Sequence, residues 1–475
     1  MIVKSFKKYK EVMDYRIEKD LLGEVKITSD AYWGIHTQRA ILNFPLSGLP
    51  VNKKLIHALA LVKKAAALAN LELNYLDKKK AGALILAAEE IFAGKLDGQF
   101  PVDALQGGAG TSTNMNVNEV IANRGIEILG GKKGDYSVLH PIEDVNKHQS
   151  TNDVYPTALK IAVIWGLKKL SAETAKLQGA FQKKEKEFAG IVKIGRTEMQ
   201  EAVPITLGAE FSAFAEAFAR DRWRTFKCEE RIRVVNIGGT AVGTGLGAPK
   251  SYIYLVIEKL RELTALGLAR GENVLDPTAN NDAFVEVSGI LKANAVNLIK
   301  VSSDLRLLNL LGEIKLPGVQ AGSSIMPGKV NPVIAEAVAQ AGMRVLSNDQ
   351  LVASACAQGT LQINEFMPLI THAMLESLEL LANANAMFTK HVEGIVAVAE
   401  KCREYFEKSP ALITAFLPHI GYDKANALLK EFNSSERPNL KIFLSEKLGA
   451  ELVEKVLSPY NLVSLGYRDE DADRT

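Results

Sequence analysis

The hydrophobic and polar positions along this chain follow a mainly helical pattern. Apolar residues recur at helical spacing in long segments, where alanine mixes with large side chains such as Val296, Leu298 and Ile299. Shorter patterns of the same kind occupy the first third of the chain. The periodicity predicts helices at 53–76, 78–93, 116–129, 156–184, 206–235, 282–309, 332–357 and 366–396.

Several of these helices exceed the length of roughly 8–20 residues that is usual in globular proteins, which indicates a bundle. Their apolar faces are broad and rich in small residues, as in VIAEAVAQAGMRVL at 333–346. Such faces need more partners than one chain provides, so we infer association between copies; a monomeric bundle is the alternative. From about 397 the pattern shortens into smaller helices.

Composition and charge exclude several classes of protein. The 475 residues are 47% hydrophobic and 24% charged, which is ordinary for a globular protein. The net charge is only +2, which argues against binding to nucleic acid. Three distant cysteines match neither a disulfide framework nor a metal-site spacing, and the seven histidines form no HExxH pair. A basic N-terminus without an apolar signal core, and the absence of an 18-residue apolar run, favour a cytoplasmic protein without membrane contact.

The segment GSSIMPGKVNP at 322–332 is the strongest candidate for chemistry. Glycines and prolines bracket two serines, a lysine and an asparagine, which predicts a mobile loop between long helices. A phosphate-binding loop is excluded, because five residues separate Gly322 from Gly328 and Val330 follows Lys329.

Three further polar segments have a similar character: GGAGTSTN at 107–114, QSTND at 149–153 and GRTEMQ at 195–200. The first two place hydroxyls where helices are expected to begin, and helix N-termini favour anions. Read singly, the first is as compatible with a plain Gly-rich turn. The second is more typical of simple N-capping and the third of a solvated turn. A fourth segment, GTGLGA at 243–248, fits the dinucleotide fingerprint only weakly, since Pro249 follows and no strand–helix alternation surrounds it.

Taken together, these segments resemble the aspartase/fumarase superfamily. Eleven residues at 322–332 match its signature, and the resemblance continues through GAGTSTNMNVNEVIANR at 108–124, VNKHQSTNDVYPTALKIAV at 145–163 and LGAEF at 207–211. It implies an all-α, mainly helical fold of three domains. These would be an N-terminal lyase domain at 1–151, a central bundle of long helices at 152–396 and a small C-terminal helical domain at 397–475.

Two activities compete within the superfamily, aspartate ammonia-lyase and class II fumarase. RIEKDLLGEVKI at 16–27, AYWGIHTQRAILNFPLSG at 31–48 and Ser150-Thr151 look more like aspartase, and fumarases usually show GAQTQR in place of GIHTQR. The resemblance therefore implies reversible elimination of ammonia from L-aspartate to give fumarate. A fumarate hydratase, or a lyase for a related amino-dicarboxylate, is the alternative.

The resemblance also assigns roles to individual residues. Ser323 would remove the Cβ proton as an alkoxide stabilised by Lys329 and by backbone N–H groups of its own loop. Four hydroxyls would bind the β-carboxylate, where negative charge grows in the transition state: Thr111, Ser112, Ser150 and Thr151.

The other end of the substrate would be held by amide and lysine side chains. Lys329 and Asn331 would bind the α-carboxylate. Asn152 and Thr197 would face the amino group. Two further residues are assigned to the binding site on the same resemblance: Ser324 and Arg39.

The resemblance implies that no cofactor is required, although it leaves room for activation by a divalent metal such as Mg. It also implies a homotetramer, in which the binding segments of one site come from three different subunits. Its only other expected partner is the small dicarboxylate substrate.

Two departures from the family pattern bear on the substrate. Glu198 stands where relatives usually have His or Gln, and we hypothesise that its carboxylate pairs with a substrate ammonium and so favours an amino-bearing substrate over malate. The segment 304–324 is a few residues shorter than the family pattern with its SGPRxG element, and Glu365 and Met367 also differ from that pattern. These changes leave open another amine substrate or a catalytically weak paralogue. A non-catalytic helical oligomer is a separate alternative, and the presence together of Ser323, Lys329 and Asn331 argues against it.

Overall fold

The structure is a computed structural model that describes residues 14–435, 437 and 439–466. Its helices are α1 (Ile35–Asn43), α2 (Lys53–Glu72), α3 (Lys78–Phe92), α4 (Thr111–Ile128), α5 (Thr151–Glu187), α6 (Leu207–Ile232), α7 (Lys250–Thr264), α8 (Asp276–Ala279), α9 (Asp282–Leu310), α10 (Val333–Ala357), α11 (Met367–Glu393), α12 (Ala399–Lys408), α13 (Leu417–Ile420), α14 (Tyr422–Asn433), α15 (Leu440–Leu448), α16 (Ala450–Val456) and α17 (Pro459–Leu462). Its strands are β1 (Tyr15–Asp20), β2 (Gly23–Thr28), β3 (Val192–Thr197), β4 (Gln200–Thr206), β5 (Val234–Val235), β6 (Ala269–Arg270), β7 (Ile314–Lys315) and β8 (Val396–Ala397).

The prediction of a mainly helical fold is confirmed. Every predicted helix is present, and five of the helices have between 25 and 37 residues: α5, α6, α9, α10 and α11. In the described part of the chain, the strands form four separate two-stranded sheets. The glycine run at 243–248 lies in a turn before α7, so the doubly wound dinucleotide fold is excluded.

Helix α5 begins five residues earlier than Pro156, where the sequence pattern places its start. A proline inside a helix leaves the carbonyl four residues before it without an intrahelical donor. Here that carbonyl belongs to Asn152, and Asn236 Nδ2 donates to it at 2.9 Å. The long-range hydrogen bond therefore replaces the missing backbone bond and lets the helix extend to Thr151.

The chain folds as two compact units. The first contains the described residues as far as Lys168, together with Lys227–Leu291 and Ser347–Glu379. Its core is built on α2, which packs against α3 and α7 with a face of buried alanine and leucine. Helices α5 and α11 approach closely there, since a Cβ at Gly166 would lie 2.8 Å from Leu378.

The second unit contains Lys169–Phe226, Lys292–Leu346 and the described residues from Leu380 onward. In its core the Phe181 ring lies 5.4–6.1 Å from four other phenylalanine rings: Phe211, Phe214, Phe218 and Phe388. Its C-terminal helices form a further apolar cluster that includes Ile194 of β3. The division at 151/152 and 396/397 into three domains stays a prediction.

None of the helices in the described residues is long and apolar enough to cross a membrane.

Candidate active site

In the first unit, glycines in the left-handed region shape the loop before α4. Gly108 and Gly110 have φ of 84° and 91°. A Cβ at Gly110 would lie 2.3 Å from the ring of Tyr155, so only glycine allows so close an approach. The loop leads into α4 with Thr111 half-buried and Ser112 buried in the first turn. Gly110 offers no capping side chain, and this N-terminus carries the partial positive charge of the helix.

Ser150 caps the N-terminus of α5. Its Oγ accepts the N–H of Asn152 at 3.2 Å, and Asp153 Oδ1 accepts the N–H of Ser150 at 3.0 Å, which is a reciprocal capping pair. Asn152 Nδ2 donates to the Ala241 carbonyl at 2.7 Å. The capping interpretation is therefore correct for Ser150, while the substrate roles of Ser150 and Asn152 stay predictions.

A buried polar network lies beneath Thr151. Lys63 Nζ, which is fully buried, donates to Asn146 Oδ1 at 2.8 Å and to Gln149 Oε1 at 2.9 Å. Asn114 Nδ2 donates to the same Asn146 oxygen at 3.2 Å and to Thr151 Oγ1 at 3.1 Å. The network joins the first turns of α4 and α5, so the structure brings two of the predicted binding segments together.

Two titratable groups at this position are missed by the sequence patterns. Burial lowers the pKa of Lys63 to about 7, and the charge of Asp153 opposes that shift. Burial also raises the pKa of Asp153 to about 7, against the hydrogen bonds that its carboxylate accepts from the N–H groups of Ser150, Thr240 and Gly238. One signal was available for Lys63, because it interrupts the apolar run LALVKKAAALA at 59–69.

Arg39, the remaining predicted site residue of this unit, forms a local ion pair. Its guanidinium contacts Asp20 through two hydrogen bonds of 2.8 and 2.7 Å, and it also donates to the Gly23 carbonyl at 3.1 Å. The hydrogen bond from Arg39 holds the pKa of the Asp20 carboxyl below its usual value. The structure thus places Arg39 against the β1–β2 hairpin, and its role toward substrate stays a prediction.

In the second unit, the signature loop directs two backbone donors at its first serine. The N–H groups of Ile325 and Met326 donate to Ser323 Oγ at 3.1 and 2.9 Å. These are donors of the kind that a serine alkoxide needs. Ser323 is half-buried, whereas Ser324 and Lys329 are exposed.

The base of this loop is closed by contacts around Gly322. Its N–H donates to the Lys329 carbonyl at 2.7 Å, and Asn331 Nδ2 donates to the Gly322 carbonyl at 2.9 Å. A Cβ at Gly322 would lie 2.9 Å from atoms of both partners. Asn331 therefore holds the loop in shape, in addition to any part in binding the substrate.

The other candidate segment of this unit forms the tip of the β3–β4 hairpin. Thr197 pairs with Gln200, and the two residues between them, Glu198 and Met199, have φ of 51° and 62°. Such values are rare outside glycine and asparagine, and strained backbone of this kind is often found at functional positions. All four residues are exposed.

A buried charge cluster supports the hairpin, and the sequence patterns missed it. Glu313 is fully buried and lies 2.8 Å from Lys193 and 2.7 Å from Arg196, both on β3. Lys193 also pairs with Glu210 at 2.7 Å. Because Glu313 immediately precedes β7, the cluster ties the hairpin to the short segment that leads to the signature loop.

Within the described residues, no group of three or more His, Cys, Asp or Glu side chains is arranged so that it could hold a metal ion.

Comparison with known proteins gives one family match and three similar proteins. The model of a family described as lyase matches residues 23–347. An aspartate ammonia-lyase from Bacillus sp is 44% identical over 95% of this chain and 98% of its own length. A fumarate lyase:delta crystallin from Brucella melitensis, solved bound to cobalt, is 45% identical with a TM-score of 0.91, covering 95% of this chain and 100% of its own. A class II fumarase from Schistosoma mansoni is 31% identical with a TM-score of 0.88, covering 94% and 98%.

Proposed function

Because this chain belongs to the lyase family, we propose that it acts as an aspartate ammonia-lyase, eliminating ammonia from L-aspartate to give fumarate. The family match confirms the resemblance drawn from the motifs. The observation that carries the proposal is the 44% identity to an aspartate ammonia-lyase over nearly the full length of both chains, against 31% to a class II fumarase.

In this proposal Ser323 is the base. It takes the proton from Cβ, the electron pair of that bond forms the double bond, and the Cα–N bond breaks as ammonia leaves. The N–H groups of Ile325 and Met326 support this role, since they already donate to the oxygen that would carry the negative charge. The positive charge of Lys329 on the same loop would add to their effect.

The β-carboxylate gains negative charge as the Cβ proton leaves. Its proposed ligands are the hydroxyls at the first turns of α4 and α5: Thr111, Ser112, Ser150 and Thr151. Helix N-termini favour anions, and each well-placed donor contributes about 2.7–4 kcal/mol to the transition state. The buried Lys63, whose pKa burial lowers to about 7, is only partly charged at neutral pH and then adds part of a positive charge behind Thr151.

The amino-bearing end would be held by lysine, amide, hydroxyl and carboxylate side chains. Lys329 and Asn331 would bind the α-carboxylate, with Ser324 beside them. Asn152 and Thr197 would contact the amino group, and Glu198 would pair with the ammonium.

The remaining expectations form part of the same proposal. The enzyme would be a homotetramer in the cytoplasm, with each site assembled from three subunits. It would need no cofactor, and activation by Mg is compatible with the proposal.

The test supplies the purified full-length chain with L-aspartate and, separately, with L-malate, and follows the appearance of fumarate. We expect fumarate from aspartate and little from malate. Faster formation from malate would favour the hydratase, and no fumarate from either substrate would remove both functions.

Variants then locate the reaction on the chain. Ser323→Ala should lower kcat by about 10²–10⁴-fold, the range for loss of a general base. Ser137→Ala, which removes an exposed hydroxyl on the first unit, serves as the matched control and should keep full activity. Equal activity of the two variants would exclude Ser323 as the base.

A further inference from the structure

A cavity of the first unit is lined by none of the residues assigned above. It measures about 350 Å³ and lies between α7 and the β5–β6 pair. That volume lies at the lower end of the range for small-molecule sites. Its charged lining consists of three arginines and one carboxylate: Arg233, Arg261, Arg270 and Glu258.

Among the described residues, no carboxylate forms an ion pair with any of the three guanidinium groups. In that part of the chain Arg261 stays unpaired although Glu258 lies one helical turn before it. Like charges gathered around one cavity repel each other, and an anion bound there would relieve the repulsion.

Two of these groups are held in place before any ligand binds. Arg233 donates to the Gly267 carbonyl at 3.2 Å, and the Arg270 guanidinium lies over the ring of Tyr254, 5.2 Å from its centre. The parallel pairing of β5 with β6 sets Arg270 opposite Val235. Because each of these two side chains already makes one such contact, a ligand would lose less free energy in ordering them.

We propose that this cavity binds a small molecule that carries a diphosphate group. Guanidinium groups form paired hydrogen bonds with phosphate oxygens, and three of them on different walls can surround two linked tetrahedral phosphates. A diphosphate carries acceptor oxygens on two linked tetrahedra, more than the two oxygens of one carboxylate, so it can engage all three guanidinium groups at once. The proposal is independent of the lyase activity, because it concerns binding at residues that the reaction does not use.

The test is calorimetric titration of the full-length protein with inorganic diphosphate at low ionic strength. Loss of one charged hydrogen-bonding group weakens binding by about tenfold or more, so Arg261→Gln should raise Kd by at least that factor. Glu258→Gln should lower Kd, since it removes the only negative charge of the lining. The control is Arg403→Gln, an exposed arginine of α12 that should leave Kd unchanged.

Three results would overturn the proposal. The first is no binding at millimolar diphosphate. The second is binding that Arg261→Gln leaves unchanged, which would place the diphosphate elsewhere on the protein. The third is binding of succinate as tight as that of diphosphate and equally weakened by Arg261→Gln, which would make the cavity a carboxylate site.

Discussion

Replacing Lys63 by methionine should change the number of protons that the protein takes up on unfolding. In the folded protein burial lowers the pKa of this amine from 10.5 to about 7. After unfolding the amine returns to water and to its ordinary pKa. Between the two values the unfolded chain therefore binds one proton more than the folded chain at this position, so stability rises with pH across that window.

The free-energy cost of burying Lys63 follows from the size of its pKa shift. A difference of 10.5 − 7 = 3.5 pKa units corresponds to about 5 kcal/mol at 1.36 kcal/mol per unit. This is the destabilisation of the folded state when Lys63 is charged. It is fully present below pH 7 and is lost as the pH rises toward 10.5. At pH 8.5 the folded amine is about 3% charged and the unfolded amine almost fully charged, so unfolding takes up about one proton.

The measurement is proton uptake during urea unfolding in weakly buffered solution at pH 8.5. Asp153 contributes little there, because its carboxyl is ionised in both states at that pH. Lys63→Met should take up about one proton fewer than the parent chain, while the exposed Lys132→Met should match the parent. Equal uptake by Lys63→Met and the parent chain would refute the burial of a titrating amine beneath Thr151.

Other substitutions test the supports of the candidate site. Gly110→Ala should lower the melting temperature much more than Gly130→Ala. Both glycines have positive φ, but only a Cβ at Gly110 would meet the Tyr155 ring. Equal losses of melting temperature would contradict the clash with Tyr155. Glu313→Gln should lower the free energy of unfolding in denaturant titrations, by about 3–5 kcal/mol at most, since it leaves Arg196 without its carboxylate and Lys193 with Glu210 alone. A loss near zero would argue against a buried pair. Glu198→Gln should weaken the preference for aspartate over malate in paired assays, and an unchanged ratio would remove the Glu198 hypothesis.

The helices could be predicted from the sequence because their signal is local. An apolar face repeats every three or four residues, so 53–76 and 282–309 are recognisable without any knowledge of the partners they pack against. The ends of helices depend on single hydrogen bonds and are harder to predict. The start of α5 illustrates this, since it needs Asn236, which lies 84 positions from the carbonyl it satisfies.

The candidate residues were found from their motifs, and what the structure adds is their local geometry. The sequence shows that Ser323 stands in a loop, but only coordinates show two N–H groups donating to its Oγ. Likewise Thr197 and Glu198 read as a solvated turn until the positive φ of Glu198 and Met199 and the pairing of β3 with β4 are known. Their roles toward substrate stay predictions that the assays above address.

The residues that the sequence patterns missed share one property: they are buried charges that support exposed or half-buried candidates. Lys63 lies 83 positions from Asn146, the amide to which it donates, and Arg196 lies 117 positions from Glu313. No periodicity spans such separations, and on a helix or strand a charged residue is ordinarily expected to face solvent. Burying these charges destabilises the fold, by about 5 kcal/mol for Lys63 when charged, so packing alone does not explain them. Their presence is explained by the segments that they hold in place, because Lys63 supports the start of α5 and Glu313 supports the strained hairpin. Both are segments where a shift of about 1 Å would displace the groups proposed to bind the substrate.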